Sequence, residues 1–500
     1  MNRFLVVRHG LRSAALAATI AIAAVDLTPP PRATREPAPI LQELAANRFG
    51  GEGRNAAHHA GPARSRLNSS GDRQSGSSDR DSRGSSIPTP KVEGPISGGL
   101  TGQPQNATDA DLEKYRFKEE EYFISGMATA NGSFGKVGDG PGAEPGDKAE
   151  YKTRILVRRP IDPKSFSGTV FVEWINVTGQ RDEDVHWDTS SDVFLRRGYG
   201  YVGVSAQKQG VDGSTSSLVA SDPVRYSSLH HPGDQFADDI YTQAAKGLFA
   251  ATPRPIGPLR IDYVVGSGWS QSGQRLNPYT NRYYQKRWRL IDGFLVAVAA
   301  STDVTTQVPA LWVSGEGEAE PASYKPWEIA NVPDKGHYRL WEVAGGSHGA
   351  SQNDDYGAQS AGGVPCPLGS NPFPTRYAHN ASMVAIDRWV RTRKPPQGEP
   401  PYARDEDGTP RRDENGNVIG GLRLPPMTVP VATYYGHTCV LLGYHARFSA
   451  EKLRAMYPSH DVYVAKMRNA TARAVARRIM LPEDAAEFMK IVRATTIPEV

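Results

Sequence analysis

Between residues 169 and 390 the chain alternates short apolar runs with helix-patterned segments, and this alternation constrains the fold more than any other feature. Residues 169–175 form an apolar run bounded by Gly168 and Asn176. Residues 188–197 have helical spacing, with Val193 and Phe194 flanked by charges. Residues 199–205 read as strand again. Pro232-Gly233-Asp234 opens a helix to about residue 248, with Ile240 and Ala244 on one face. Residues 261–265, 290–299, 310–313 and 338–343 are further strands, and 382–390 a late helix. Repeated strand–helix alternation predicts an α/β chain: a mostly parallel sheet covered by helices on both faces. One spacing conflicts with this. Only residues 300–309 separate two strands expected to be parallel, and a crossover normally needs a dozen or more.

Ahead of this region the pattern changes. Arg3, Arg8 and Arg12 precede an apolar stretch over residues 14–25, and Ala21, Ile22 and Ala23 offer small residues near a cleavage point. That order predicts a signal peptide over residues 1–25, a secreted or periplasmic protein, and no stable membrane span after cleavage. Residues 26–108 are rich in Pro, Ser, Gly, Asp and Arg and poor in apolar side chains. Such a segment buries too little surface to offset its ordering entropy, so a disordered low-complexity linker is expected there. The folded domain is expected over 109–500. It opens with strands at 122–126 and 151–159, carries a polar loop at 397–421, and ends in a helical tail at 450–494.

Composition excludes several classes. With 58 Lys+Arg against 54 Asp+Glu, the net charge of +4 is no footprint for nucleic acid. Two cysteines exclude a disulfide-dense scaffold and a cysteine-rich zinc module. Export would make a Cys366–Cys439 bridge plausible, closing a loop of about 70 residues for roughly 4 kcal/mol in the chain-entropy account.

The chemistry concentrates at Val264-Val265-Gly266-Ser267-Gly268-Trp269-Ser270-Gln271-Ser272-Gly273. A strand ends, a serine sits on a sharp turn, and helix-compatible residues follow, as in a nucleophile elbow. The turn needs small residues two before and two after the nucleophile. Framed on Ser270 these are Gly268 and Ser272; framed on Ser272 one is Gln274, which is too large, and framed on Ser267 they are Val265 and Trp269, which is worse. Gly345-Gly346-Ser347-His348-Gly349 matches the bare pattern better but lacks a following helix, so it is read as the loop that carries a catalytic histidine. Gly266-Ser267-Gly268 is a broken dinucleotide fingerprint with Gln271 at the third glycine position. Asp182-Glu183-Asp184 with Asp188 lacks the spacing of a calcium loop and is read as a solvated acidic loop. No cofactor and no metal are expected.

A nucleophilic serine needs a base, and the base an orienting carboxylate. His348 follows the 338–343 strand in a small-residue loop. His230 and His231 precede the elbow and are assigned to shaping the pocket or capping the helix at Pro232, and His379 to the surface. The strand 310–313 is followed by Glu316, Glu318 and Glu320. Glu318, between Gly317 and Ala319, is chosen as the acid, and at least two of the three are expected to be exposed loop acids. For the oxyanion, backbone N–H donors are expected from Gln271 and from Asn176 or Val177. Trp174, His186, Trp187 and Trp269 are expected to line an apolar substrate pocket.

Taken in order, Glu120-Glu121-Tyr122-Phe123-Ile124-Ser125-Gly126, Glu173-Trp174-Ile175-Asn176-Val177, His231-Pro232-Gly233-Asp234, Gly268-Trp269-Ser270-Gln271-Ser272-Gly273 and Gly345-Gly346-Ser347-His348-Gly349 resemble the bacterial family of α/β-hydrolase domain-containing proteins. The resemblance spans about residue 111 to the C-terminus. It implies an α/β-hydrolase fold with Ser270 and His348 catalytic and the acid in the turn that holds Glu318. It implies no particular substrate. The expected function is an exported serine hydrolase cleaving a carboxylic ester of a small molecule through an acyl-enzyme. Amide, lactone or thioester hydrolysis, acyl transfer, and a non-catalytic binding role on the same scaffold are the alternatives.

Overall fold

The central strands are apolar along their whole length because both their faces are covered. β4 (Thr169–Trp174), β5 (Gly200–Val204), β7 (Gly293–Ala297) and β8 (Ala310–Ser314) are buried at every position. They belong to a nine-stranded sheet of order β1-β2-β3-β5-β4-β6-β7-β8-β9 in a computed structural model. The other members are β1 (Lys91–Glu93), β2 (Phe117–Thr129), β3 (Lys148–Pro160), β6 (Tyr263–Trp269) and β9 (Tyr338–Glu342). Neighbours pair in parallel from β5 through β9 and antiparallel from β1 through β3 to β5. The structure describes residues 84, 86–131, 144–286, 290–299, 305–319, 334–349, 371–437 and 442–498. All of these fall in one compact unit, 72–500. The expected signal peptide, the linker before residue 84, Glu320, Cys366 and Cys439 lie outside the described residues.

Alternating side chains separate two cores, as the period of 2 along a strand requires. Phe171, Tyr201, Val265, Leu311 and Trp341 face α1 (Val185–Arg197) and α4 (Arg376–Thr392). Val172, Val202, Val264, Phe294 and Trp312 face α2 (Ala237–Ala250) and α3 (Gln271–Lys286). The tail adds α5 (His460–Ala476) and α6 (Pro482–Ala494), whose Met467, Phe488, Met489 and Val492 join the first core. The spacing conflict resolves because β7 is shorter than the run 290–299. It ends at Ala297, so the connection to its parallel neighbour β8 spans 298–309.

The linker boundary at residue 108 is a correction. β1 adds to the sheet edge, with Val92 opposite Ile124. Beyond Ile96, which packs on the cluster around Phe123 and Tyr226, the segment 96–106 is held mainly by polar bonds, which is why its composition concealed it. Arg154 donates to the Gln105 carbonyl at 2.7 Å, Arg158 to that of Asn106 at 2.5 Å, and Arg225 to those of Gly98 at 2.5 Å and Ile96 at 3.1 Å. These arginines are buried, and buried cations must be satisfied. A chain beginning at Asp109 therefore strands several donors at about 1–3 kcal/mol each, more for charged groups. It is expected to be unfolded or to melt far below the full chain, whereas one beginning at Ser86 melts within a few degrees of it. Circular dichroism melts of both chains decide this.

The acidic residues Glu119, Glu120 and Glu121 lie within β2 rather than ahead of it. Asp182 and Asp184 are buried, not solvated. Asp182 meets Arg154 at 2.7 Å and Asp184 pairs with Arg158, so both are occupied by arginine.

α6 adds polar contacts to its apolar face. Asp484 is 1 % exposed and accepts from Arg196 at 3.1 Å and Asn380 at 3.0 Å. Burial pushes its carboxyl up to about 6, against the pull of Asn380 and Arg196. A carboxyl raised in the folded state favours folding below its unfolded value near 3.8, and that benefit is lost as pH rises through about 6. Asp484→Asn should therefore stabilise the protein at pH 7.5 by about 1–3 kcal/mol, at 1.36 kcal/mol per pH unit, and have no such effect near pH 4. Arg196 keeps Asp192 at 2.7 Å in that variant. Urea melts at the two pH values test the sign.

Candidate active site

Ser270 follows the last residue of β6 and precedes the first of α3. Its φ is +54°, the left-handed region, where a non-glycine residue costs about 1–3 kcal/mol and persists only if its surroundings enforce it. Here they do. The Ser270 N–H donates to the Ala297 carbonyl at 2.9 Å. The Ser272 hydroxyl accepts from the Trp269 N–H and donates to the Trp269 carbonyl, both at 2.9 Å. The Asn176 side-chain amide donates to that same carbonyl at 2.8 Å. A Cβ on Gly268 would sit 3.0 Å from the Ser272 backbone, and one on Gly273 would sit 2.8 Å from Ala299. The close approaches thus fall at Gly268 and Gly273. Ser272 is a clamp across the turn rather than merely a small residue.

The parallel sheet delivers the partners at the same strand ends. Glu318 lies in a helical turn, Gly317–Ala319, past the carboxyl end of β8, and His348 in the loop past β9. His348 Nε2 is 2.7 Å from Ser270 Oγ, and His348 Nδ1 is 2.5 Å from Glu318 Oε1. The other Glu318 oxygen accepts from the Gly315 N–H at 2.7 Å, which fixes the carboxylate's direction. Ser347 is buried and its hydroxyl donates to the Gly349 carbonyl at 3.1 Å.

Glu316 is not the exposed loop acid that its sequence neighbourhood suggested. It is fully buried and accepts from the Gly345 N–H at 2.8 Å, the Gly436 N–H at 3.1 Å and Arg412 at 2.8 Å. Burial opposes its charge, yet His437, Arg412 and the Gly436 N–H outweigh this and hold the carboxyl below its ordinary value. Its role is to tie the histidine loop to the polar segment 397–421. That segment also sends Arg404 to Glu342 at 2.6 Å.

The expected oxyanion donors separate. Gln271 opens α3, so its N–H has no intrahelical acceptor. The Asn176 N–H is spent on the Glu183 carbonyl at 3.1 Å, which removes it as a donor. The Val177 N–H meets only the Gln271 side-chain oxygen at 3.4 Å, a long bond that an oxyanion can replace. The Gln271 side chain is itself positioned by Gln207 at 2.9 Å, and Gln207 by Asp234 at 3.0 Å. This is where the His231-Pro232-Gly233-Asp234 run acts. His231 accepts from the Gly233 N–H at 3.2 Å, and burial pushes its imidazole down to about 4, so it stays neutral. His230 is exposed and takes no part.

Two of the expected pocket residues belong to the cores. Trp174 packs on Tyr241 and Tyr279, and Trp187 on Phe194 and Tyr201. A strand covered on both faces puts even its last side chain inside. Trp269 and His186 do lie beside the elbow, in ring contact at 5.4 Å. The sequence reading missed His379, assigned to the surface but 2 % exposed and 4.3 Å from the Trp269 ring. Its position was legible: His379, Met383, Ile386 and Val390 follow helical spacing along the buried face of α4. Burial first, then His186 and His348, push the His379 imidazole down to about 3, so it too stays neutral. His379 Nε2 and both ring nitrogens of His186 are buried without a hydrogen-bond partner, beside the residue that precedes Ser270. Among the described residues no group of His, Cys, Asp and Glu is arranged to hold a metal ion, and no helix is long and apolar enough to cross a membrane.

No curated relative matches the chain. Solved structures similar to it include the esterase Est22, at 12% identity over 49% of this chain and 76% of that one, with a TM-score of 0.29. Others are XC6422 from Xanthomonas campestris, described as an a/b serine hydrolase without lid, at 13% identity over 44% and 83% with a TM-score of 0.26, and a putative dienelactone hydrolase from Klebsiella pneumoniae, at 10% over 44% and 85% with a TM-score of 0.25. The family model described as alpha/beta hydrolase domain matches residues 92–490, the span that holds the sheet, the elbow and the histidine loop, and the chain belongs to that family.

Proposed function

We propose that the protein is a serine hydrolase that cleaves carboxylic esters of small molecules through an acyl-enzyme on Ser270. The observation that carries this reading is the unbroken relay from Ser270 Oγ through His348 to Glu318, at 2.7 and 2.5 Å. In this mechanism Ser270 Oγ attacks the acyl carbon while His348 Nε2 takes its proton. The tetrahedral oxyanion rests on the Gln271 N–H and, once the Gln271 side chain gives way, on that of Val177. His348 then returns the proton to the leaving alkoxide. A water, deprotonated by His348, then attacks the acyl carbon; the bond to Ser270 Oγ breaks, His348 returns the proton to Oγ, and the acid leaves. Glu318 orients the imidazole and stabilises its charged form. The arginines and apolar stretch at residues 3–25 support export of this enzyme, which amino-terminal sequencing of the mature protein would test.

The test is a panel of small esters, with matched amides, lactones and thioesters. Ester turnover accompanied by an acyl adduct mapped to the peptide bearing Ser270 is the expected result. Faster turnover of the amides would move the reading to an amidase. Absence of both turnover and fluorophosphonate labelling would leave a binding protein on a hydrolase scaffold.

A further inference from the structure

A cavity of about 530 Å³ lies away from Ser270, with none of Ser270, Glu318 or His348 on its wall. It opens beside β9, between the C-terminal half of α4, residues 394–397, and the turn 475–482 that joins α5 to α6. The volume falls within the usual range for small-molecule sites. Trp341, Ala381, Ala385, Val475, Met480 and Leu481 make its apolar wall. Its charged lining is entirely cationic: no aspartate or glutamate is among the described lining residues. Arg197 and Arg477 are tied to Glu483 and Glu399. Arg388, Lys394 and Arg478 are exposed and bond to no side chain among the described residues.

The wall favours an apolar body, and the unneutralised cations at its rim favour an occupant with lone pairs and negative charge. We infer that this cavity binds an organic carboxylate with an aliphatic or aromatic body, at a site separate from the Ser270 centre.

The test is calorimetric titration of the full chain with sodium decanoate at low salt, repeated on Ser270→Ala. One site is expected in both proteins. The double substitution Arg388→Glu, Lys394→Glu should weaken it at least tenfold. Both residues are exposed, so this variant should melt like the parent. Ala385→Trp, which fills the cavity, should abolish binding. If that variant does not fold, the charge-reversed variant decides alone. Raising salt should weaken the parent's binding, because the cations are open to solvent. 1-Decanol should compete at least tenfold less well than decanoate. The inference is overturned if decanoate binds the charge-reversed protein as tightly as the parent, if decanol equals decanoate, or if folded parent shows no binding at millimolar decanoate. Because the readout is binding and persists in Ser270→Ala, it stands or falls independently of the ester-hydrolase reading.

Discussion

Ser270→Ala is expected to lower kcat for any ester the protein cleaves by about 10⁵–10⁶-fold and to abolish fluorophosphonate labelling, as loss of a triad serine does. The fold should survive. Alanine pays about the same backbone penalty as serine at φ +54°, and the contacts that enforce the turn belong to Trp269, Ser272, Asn176 and Ala297. The melting temperature should therefore stay within a few degrees of the parent. Ser347→Ala is the control. It removes only a hydroxyl that donates to the Gly349 carbonyl, so turnover should remain within about tenfold of the parent by the size of one neutral hydrogen bond. Loss of labelling in Ser347→Ala with retention in Ser270→Ala would move the nucleophile to the histidine loop.

The parts of the molecule that local pattern controls were legible. Strands covered on both faces are continuous apolar runs, so β4 through β9 could be located, and the small residues around Ser270 marked the turn. What escaped depends on partners distant in sequence. Asn176 looked like an oxyanion donor until its N–H was seen paired to Glu183. Trp174 looked like a pocket residue because it ends a strand, although the fold carries helix over that end too. Residues 96–106 have no apolar pattern, yet they are fixed by Arg154, Arg158 and Arg225, and a buried guanidinium reaching a carbonyl leaves no periodicity to read. Glu316 escaped for the same reason, since its partner Arg412 lies in a loop that composition marks only as polar.

Glu316 and Glu318 lie two residues apart, and the structure predicts that their glutamine variants fail in different ways. In Glu318→Gln the amide cannot stabilise the charged imidazole. If its NH₂ faces His348 Nδ1, it imposes the tautomer that leaves Nε2 protonated and unable to accept the Ser270 proton. Turnover should fall about 10⁴-fold, the cost of that tautomer error in the serine-protease triad. Stability should change little, because the Gly315 N–H still has an amide oxygen within reach. In Glu316→Gln the charge facing Arg412 and His437 is lost, and one amide oxygen must replace a carboxylate that receives the Gly345 N–H, the Gly436 N–H and Arg412. That should cost about 2–5 kcal/mol of stability, the range for breaking a buried charged contact, together with a smaller loss of turnover as the loop bearing His348 loosens. The discriminating measurement pairs kcat at a temperature where each variant is folded with its melting temperature. If Glu316→Gln were the catalytically dead, thermally normal variant and Glu318→Gln the unstable, active one, the acid would have to be reassigned to Glu316, even though only Glu318 lies within hydrogen-bond distance of the histidine.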